Sequence, residues 1–209
     1  MQISLSRIHF PVTTLGPGKR IGIWFQGCSL RCKGCLSPDT WEKKTESTSV
    51  DALIQQIQPW FAFADGITIS GGEPFEQPEA LYALLIVLRQ QFTGDIFIYS
   101  GYHWNEIEPQ VTKMSGLIDA LMSGRYQTET TQSLMLRGSD NQQLHCLTAM
   151  GSARFSAFDR SVTEEDKVLD LSMDSQGLIY LTGIPQKGDM ARLREVLAQQ
   201  DIQLKQIKR

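Results

Sequence analysis

Hydrophobic residues recur along this chain in two rhythms, one typical of strands and the other of helices. In residues 20–25 they alternate with other residues, and Ile21, Ile23 and Phe25 would share one face of a strand. Residues 78–88 carry leucines at helical spacing, after a proline suited to a first helical turn. By the same criteria, strands are predicted in the chain up to residue 150 at 2–10, 20–25, 66–70, 95–99, 117–122 and 144–148. Helices are predicted at 50–61, beginning at residue 78, and at 105–113.

Strands and helices that alternate at this interval predict an α/β fold with a parallel sheet or a partial (β/α) barrel. A complete barrel of eight strand–helix units typically needs about 250 residues. This chain has 209, so a partial barrel is the expectation. Thr48 and Asp51 predict a capping box at the start of the first helix.

The pattern changes beyond Met150. Residues 152–167 are polar and charged, and 168–181 resemble a hairpin with its turn at 174–177. A helix is expected over 189–199, and Ile202 with Leu204 suggests a last strand. We expect residues 1–150 to form the core and 151–209 a small α+β appendage. The alternative is that these elements complete the same sheet.

Composition narrows the class of protein. The chain is 41% hydrophobic and 21% charged with a net charge of −3, which does not favour a nucleic-acid binder with a basic surface. The first seven residues lack the apolar run of a signal peptide, and the longest apolar run, 81–88, is too short to span a bilayer. Four cysteines grouped as three plus one do not suggest a secreted disulfide framework. We expect a cytoplasmic protein with neither membrane nor nucleic-acid partners.

Three of the four cysteines lie within eight residues after the strand at 20–25. Cys28, Cys32 and Cys35 have the spacing C-x3-C-x2-C, and thiolates favour iron–sulfur clusters, zinc or copper(I). Structural zinc usually takes four ligands, whereas three thiolates can hold a 4Fe–4S cluster with one iron left open. If the site binds zinc instead, either Cys146 or the adjacent His145 could be the fourth ligand. Otherwise Cys146 is a small buried hydrophobic residue.

A second motif follows the next strand, at Gly71, Gly72, Glu73 and Pro74. Glycines let the backbone approach a ligand closely, and their carbonyls or the Glu73 carboxylate can accept hydrogen bonds from an ammonium group. By itself the stretch is an ordinary strand–helix turn. After a triplet of cysteines it predicts a ligand site at the ends of parallel strands.

These motifs together resemble a known family. The segments 16–20, 24–28 and 70–78, with the three cysteines between them, are similar to radical S-adenosylmethionine (SAM) enzymes of the glycyl-radical-enzyme activase subgroup. The segments 124–126 and 136–142 resemble anaerobic ribonucleotide-reductase-activating proteins most closely. The resemblance covers residues 15–148.

The resemblance implies a 4Fe–4S cluster on the three cysteines, with SAM bound at the open iron. One electron from the cluster would cleave SAM to a 5′-deoxyadenosyl radical, which would take hydrogen from a glycine of a partner glycyl radical enzyme. A donor such as flavodoxin or ferredoxin would supply that electron. No acid–base catalytic residue is expected. The alternatives are a radical SAM enzyme for a small molecule, nucleotide or peptide, and a non-catalytic iron–sulfur or zinc protein.

The resemblance also implies further contacts to SAM. Gly34, where many radical SAM enzymes have an aromatic residue, and Leu36, where the activases typically have tyrosine, would lie near the adenine. Ser100, at a strand end, and Arg125 are candidate contacts.

Two further features bear on the same site. Ser123 stands where an aspartate is common in the family, which removes a carboxylate from the expected SAM site. The polar loop 137–142 either shapes the substrate entrance or docks a partner, or else is an ordinary surface loop.

Overall fold

The structure is a computed structural model that describes residues 1–166, 168–173, 179–183 and 189–199. Within them the strands are β1 (Gln2–Ile3), β2 (Leu5–Val12), β3 (Arg20–Phe25), β4 (Thr48–Ser49), β5 (Gly66–Gly71), β6 (Asp95–Tyr99), β7 (Ala120–Ser123), β8 (Gln143–Cys146), β9 (Leu169–Met173) and β10 (Ile179–Gly183). The helices are α1 (Val50–Ile57), α2 (Pro78–Gln91), α3 (Trp104–Lys113), α4 (Ala149–Phe155) and α5 (Asp189–Ala198).

The main sheet has six strands in the order β2-β3-β5-β6-β7-β8. Its four central strands run parallel, as the alternation of strands and helices predicts. The two outer strands, β2 and β8, pair antiparallel with their neighbours. The fold is therefore mixed α/β with a mainly parallel sheet, and the carboxyl ends of its central strands lie along one edge.

The core forms where helices α1 and α2 pack on the sheet. Ile21, Ile23 and Phe25 of β3 have no exposed surface, and neither do Leu81, Leu84, Leu85 and Leu88 of α2. These faces are the ones predicted from the sequence. Each such side chain stabilises the fold by roughly 1.5–3 kcal/mol relative to an exposed one. The strands that end at the site are therefore held by a well-packed core.

Two boundaries differ from the sequence prediction. The cap of α1 is Ser49 instead of Thr48, because Ser49 accepts a hydrogen bond from the Ala52 backbone; both residues pair with β1 in the short β4 strand. Strand β7 begins at Ala120 instead of residue 117. The preceding Asp119 caps the neighbouring strand by accepting from the Ile96 N–H at 2.8 Å.

The expected C-terminal hairpin is confirmed, and it forms a separate two-stranded sheet of β9 and β10. Asp170 of β9 attaches the hairpin to the end of β2 by accepting hydrogen bonds from the backbone and hydroxyl groups of Thr13 and Thr14. The helix expected over 189–199 is α5. The turn at 174–177 and the strand suggested by Ile202 and Leu204 lie outside the described residues.

Helix α4 crosses position 150, where the sequence suggests the end of the core. Its last residue, Phe155, is fully buried and packs against Phe97 of β6 with ring centroids 4.7 Å apart. The division into 1–150 and 151–209 remains a proposal. In the ranges that the structure describes, no helix is both long enough and apolar enough to cross a membrane.

Candidate metal and cofactor site

Both sequence motifs lie at the same edge of the main sheet. The cysteine loop leaves the carboxyl end of β3, and the Gly-Gly-Glu-Pro turn leaves the end of β5. Ser100 follows β6, and Ser123 ends β7. Because β3 and β5 pair in register from Arg20–Gly66 to Phe25–Gly71, the two motifs begin side by side. The sheet thereby brings together residues far apart in sequence.

The cysteine loop is held from behind by residues 37–41, which return across its base. The Gly27 N–H donates to the Thr40 carbonyl at 2.7 Å, and the Cys28 N–H donates to the Trp41 carbonyl at 3.0 Å. Within the loop, the Cys35 N–H donates to the Cys32 carbonyl at 3.1 Å. Cys28, Cys32 and Cys35 are free, partly buried thiols. In the described residues none of them is part of a disulfide, which leaves each sulfur available as a metal ligand.

The surroundings of the cysteine thiols contain both apolar burial and hydrogen-bond donors. Burial raises the pKa of Cys28 and Cys35, and backbone N–H groups of Arg31 and Leu30 act on Cys28 in the opposite direction. The Ser37 N–H donates to the Cys35 sulfur at 3.4 Å. A bound metal takes the place of the thiol proton, and donors of this kind then stabilise the thiolate.

The buried indole N–H of Trp41 tests whether this loop fits an iron–sulfur cluster. It has no hydrogen-bond partner in the part of the chain that the structure describes, and the Trp41 side chain acts against the burial that raises the pKa of the Cys35 thiol. In the same residues no three His, Cys, Asp or Glu side chains are grouped closely enough to hold a single metal ion. A 4Fe–4S cube presents its irons at separate corners, so its thiolates need not converge on one point. Free thiols surrounded by unpaired and backbone donors fit such a cluster.

Cys146 lies away from this loop, on β8. It packs against the small apolar cluster of Phe97, Met122 and Phe155. The alternative of a closed zinc site that includes His145 or Cys146 therefore has no support among the described residues. Packing of a small apolar side chain is the interpretation that the structure favours for Cys146.

Gly71 and Gly72 are required by contacts between two strands as well as by any ligand. Gly71 has a φ of +97°, and a Cβ there would lie 2.7 Å from the backbone N and O of Phe25. A Cβ on Gly72 would lie 2.2 Å from the carbonyl oxygen of Gly27. The glycines therefore let the β5 turn pack directly against the base of the cysteine loop, a reason that the sequence alone does not show.

The Glu73 carboxylate is almost completely buried, with 1% of the residue exposed. It accepts hydrogen bonds from the N–H of Gly101 at 2.8 Å, from the Ser100 hydroxyl at 2.9 Å and from the Phe75 N–H at 3.1 Å. Burial raises its pKa from 4.5 to about 7, although these donors act in the opposite direction. The side chain thus joins the end of β5 to the end of β6. Pro74, next in the turn, is also buried.

Glu76 is a site residue that the sequence analysis missed. One oxygen of its carboxylate accepts from the Ser29 N–H at 2.8 Å and from the Ser29 hydroxyl at 2.6 Å. Glu76 lies three residues after Glu73, in the turn before α2. In the sequence, Glu76 is visible only as a second carboxylate within the motif 70–78. Nothing in the sequence indicates that its hydrogen-bond partner is Ser29.

The remaining sequence-predicted residues differ in their surroundings. Ser100 is buried, and its hydroxyl is engaged with Glu73. Gly34 has a φ of +77°, and a Cβ there would lie 2.2 Å from the Thr128 side chain. Leu36 is 82% exposed. Arg125 is half exposed, 3.8 Å from a Glu106 carboxylate oxygen. Contacts of these four residues with SAM remain proposals.

Ser123 has a histidine partner that the sequence did not indicate. Its hydroxyl lies 2.8 Å from His145 Nε2, and the His145 ring stacks on Trp104 with centroids 4.3 Å apart. Burial lowers the pKa of His145, so its neutral form is favoured. A pocket of about 310 Å³ opens at this point, lined by His103, Trp104, Asn105, Ser123, Asn141 and Gln143.

The loop 137–142 is tightly hydrogen-bonded. Arg137 is 6% exposed and donates to the Gln142 carbonyl at 2.7 Å and to Asp159 at 2.7 Å. Asp140 accepts from the Thr131 and Ser133 hydroxyls, and these bonds hold its pKa down at about 2. These contacts hold the loop in one conformation, and they are compatible with an ordinary surface loop. A role at the substrate entrance stays a prediction.

Comparison with known proteins agrees with this geometry. The 4Fe-4S single cluster domain family matches residues 14–145. The anaerobic ribonucleoside-triphosphate reductase-activating protein of Escherichia coli K12 is 30% identical over 148 residues, which cover 66% of this chain and 96% of the relative. The chain belongs to the glycyl-radical-enzyme activases of the radical SAM family. It is thus an enzyme of the radical SAM activase kind, and the cofactors of that family are a 4Fe–4S cluster and SAM.

Two further proteins are similar to this activase over part of their length. The pyruvate formate-lyase-activating enzyme of Clostridium pasteurianum is 30% identical over 152 residues, which cover 70% of this chain and 58% of that enzyme. The solved structure of QueE from Escherichia coli is 24% identical with a TM-score of 0.41, and the match covers 48% of this chain and 53% of QueE. That structural similarity is too low to support a statement about the fold or the site.

Proposed function

We propose that this activase holds a 4Fe–4S cluster on Cys28, Cys32 and Cys35 and binds SAM at the iron without a protein ligand. The observation that carries the proposal is the contact between the two motifs. The Glu73 N–H donates to the Gly27 carbonyl at 2.9 Å, and Glu76 holds Ser29. A chelating ligand on the open iron would therefore lie beside the Gly-Gly-Glu-Pro turn.

The protein residues have distinct roles in this proposal. When bound by the three cysteines, the cluster would supply the one electron needed to cleave SAM to methionine and a 5′-deoxyadenosyl radical. The backbone carbonyls of Gly71 and Gly72 would accept hydrogen bonds from the ammonium group of SAM. Glu73 positions this turn by linking it to the end of β6, because its carboxylate accepts hydrogen bonds from Ser100 and Gly101. Gly34, Leu36, Pro74 and Arg125 would border the bound SAM, with no acid–base residue required.

The proposed substrate is a glycine Cα–H on a loop of a partner glycyl radical enzyme. The names of the two relatives support this, since they describe activation of anaerobic ribonucleoside-triphosphate reductase and of pyruvate formate-lyase. We further propose that the parallel strands curve into a partial barrel around the site, and that flavodoxin or ferredoxin donates the electron. The reducing cytoplasm would keep the thiols available.

The test combines the anaerobically reconstituted enzyme with SAM, a reductant and a purified glycyl radical enzyme. The proposal predicts a glycyl radical signal on the partner in electron paramagnetic resonance, together with 5′-deoxyadenosine. Anaerobic ribonucleoside-triphosphate reductase is the first partner to try and pyruvate formate-lyase the second. Formation of 5′-deoxyadenosine without a radical on either partner would contradict the activation role and favour a small molecule, nucleotide or peptide as substrate.

A further inference from the structure

We propose that the C-terminal hairpin of β9 and β10 holds the cysteine loop in position through Arg7, and that the Tyr180 ring is the part of the hairpin that acts on this arginine. Both would be positioning residues, because they act on the cysteines through the segment 37–41. The inference deepens the proposed function and rests on it where the cysteines are taken as cluster ligands. The contacts that carry it belong to the protein alone.

Arg7 lies at the end of β2 that is nearest the cysteine loop. It pairs with Trp24, near the end of β3, and Cys28 follows soon after that strand. The Arg7 side chain is 12% exposed, so solvent ions screen its charge only weakly. Its Nη1 donates to a carboxylate oxygen of Asp39 at 2.6 Å, and its Nη2 donates to the Ser37 hydroxyl at 3.3 Å. Arg7 thus joins β2 to the turn that follows the last cysteine.

The segment 37–41 is in turn bonded to both ends of the cysteine loop. The Trp41 carbonyl accepts from the Cys28 N–H at 3.0 Å. The Ser37 N–H donates to the Cys35 sulfur at 3.4 Å. A displacement of this segment would therefore move the first and the last cysteine of the loop together.

The hairpin supplies one of two rings that contact the guanidinium group. The Arg7 Cζ lies 5.2 Å from the centroid of the Trp24 ring and 5.1 Å from that of the Tyr180 ring. Trp24 belongs to the main sheet, whereas Tyr180 belongs to β10 and also packs on His9 with ring centroids 4.9 Å apart. Cation–π contacts strengthen when the cation is shielded from water. The position of the guanidinium group therefore depends on the hairpin as well as on the sheet.

The hairpin lies along β2 and is attached near both ends of that strand. Asp170 bonds residues 13–14 just beyond one end of β2. Tyr180 contacts Arg7 toward the other end, where the site is. Both hairpin strands follow residue 145, at which the family match ends. The hairpin thus adds a support for the cysteine loop from outside the matched part of the chain.

The test measures amide hydrogen exchange in Tyr180→Ala without a cluster. We expect the Cys28 amide, which is bonded to the segment 37–41, to exchange roughly tenfold faster than in the wild-type protein, because the guanidinium group loses one ring. Tyr180→Phe keeps a ring and should restore exchange to within about twofold of the wild-type rate. Leu181→Ala is the matched control, since Leu181 is the next residue of β10 and is 39% exposed. It should leave the Cys28 amide unchanged.

A double-mutant cycle shows whether the effect passes through the arginine. In Arg7→Ala the Cys28 amide should already exchange faster, and the addition of Tyr180→Ala should change its rate no further. Asp39→Ala replaces Arg7→Ala if the latter does not fold, because it removes the carboxylate that the guanidinium group holds. Independent effects of the two substitutions would overturn the inference, as would wild-type protection of Cys28 in Tyr180→Ala.

The loaded protein gives a second measurement. Reconstituted Tyr180→Ala should lose iron to a chelator roughly tenfold faster than Tyr180→Phe, followed by visible absorption. Equal rates would show that the hairpin does not support the assembled cluster and would overturn the inference. Wild-type protein that takes up no iron would overturn the proposed function instead, and the exchange experiment, which needs no cluster, would still decide the inference.

Discussion

Ser29 and Glu76 join the two motifs of the site. The backbone N–H and the hydroxyl of Ser29 donate to the same Glu76 oxygen, at 2.8 and 2.6 Å. Ser29 follows the first cysteine, and Glu76 precedes helix α2. The buried helix α2 thus anchors the cysteine loop through one carboxylate, so the loop does not depend on the cluster alone for its position.

Replacement of Glu76 by alanine is expected to loosen the cysteine loop. Hydrogen bonds to a charged group contribute about 1.5–3 kcal/mol, so the Ser29 amide should exchange its hydrogen roughly 10–100 times faster. Amide hydrogen exchange of the protein without cluster measures this directly. The control is Glu79→Ala, an exposed carboxylate in the first turn of α2. Equal protection of Ser29 in both variants would contradict the anchoring role.

Gly72→Ala should destabilise the protein because its Cβ would lie 2.2 Å from a backbone oxygen of Gly27. We expect a loss of roughly 3 kcal/mol or more, since neither backbone can yield without moving a strand. Gly116→Ala is the control. Gly116 has a φ of +77° and nothing within 4 Å, so that variant carries only the backbone strain of about 1–2 kcal/mol. Urea unfolding compares the two, and equal losses would show that the close contact is unimportant.

The raised pKa of Glu73 predicts a specific pH dependence of stability. Between pH 4.5 and about 7 the folded protein retains the Glu73 proton while the unfolded chain releases it. The free energy of unfolding should therefore fall as the pH rises through this range, by up to about 3 kcal/mol from this group. Urea unfolding of the protein without cluster should show this fall relative to Glu73→Gln, which has no such proton. Parallel pH profiles of the two proteins would contradict a raised pKa.

His145 should titrate below 6.5 in the wild-type protein, because burial disfavours its charged form. A carboxylate at position 123, beside Nε2, would favour the charged form instead. Nuclear magnetic resonance of the ring protons is simple to assign, since the chain has three histidines. We expect Ser123→Asp to raise the midpoint, and Ser123→Ala to leave it below 6.5. A midpoint that Ser123→Asp does not change would contradict the contact between these two side chains.

Much of the fold was predictable because local patterns agree with the tertiary packing. The leucine stripe of α2 corresponds directly to a buried face. The alternating Ile21, Ile23 and Phe25 of β3 are also buried, although the opposite face of β3 is buried as well. The antiparallel direction of β8 was not predictable, because the chain between Ser123 and Gln143 contains no helix whose crossover would dictate direction. The cap of α1 is Ser49, one residue later than predicted, because α1 begins directly after β4, whose pairing with the distant β1 the sequence does not show.

For the site, the spacing of residues in the sequence predicted which residues take part, but not which side chains hydrogen-bond to one another. The cysteine triplet and the Gly-Gly-Glu-Pro turn could be predicted to share one sheet edge, since both follow strands. The pairs Ser29–Glu76 and Ser123–His145 join residues that are far apart in sequence. The second reason for Gly72, its contact with Gly27, likewise appears only when the two strands are side by side.

The most direct test of the account is SAM cleavage by the reconstituted protein and two cysteine variants. With a strong reductant, wild-type protein should contain iron and sulfide and form methionine and 5′-deoxyadenosine in equal amounts. Cys146→Ala should do the same, because Cys146 packs in an apolar cluster, whereas Cys32→Ala should lose both cluster and cleavage. Zinc without iron in the wild-type protein, or full cleavage by Cys32→Ala, would contradict the account.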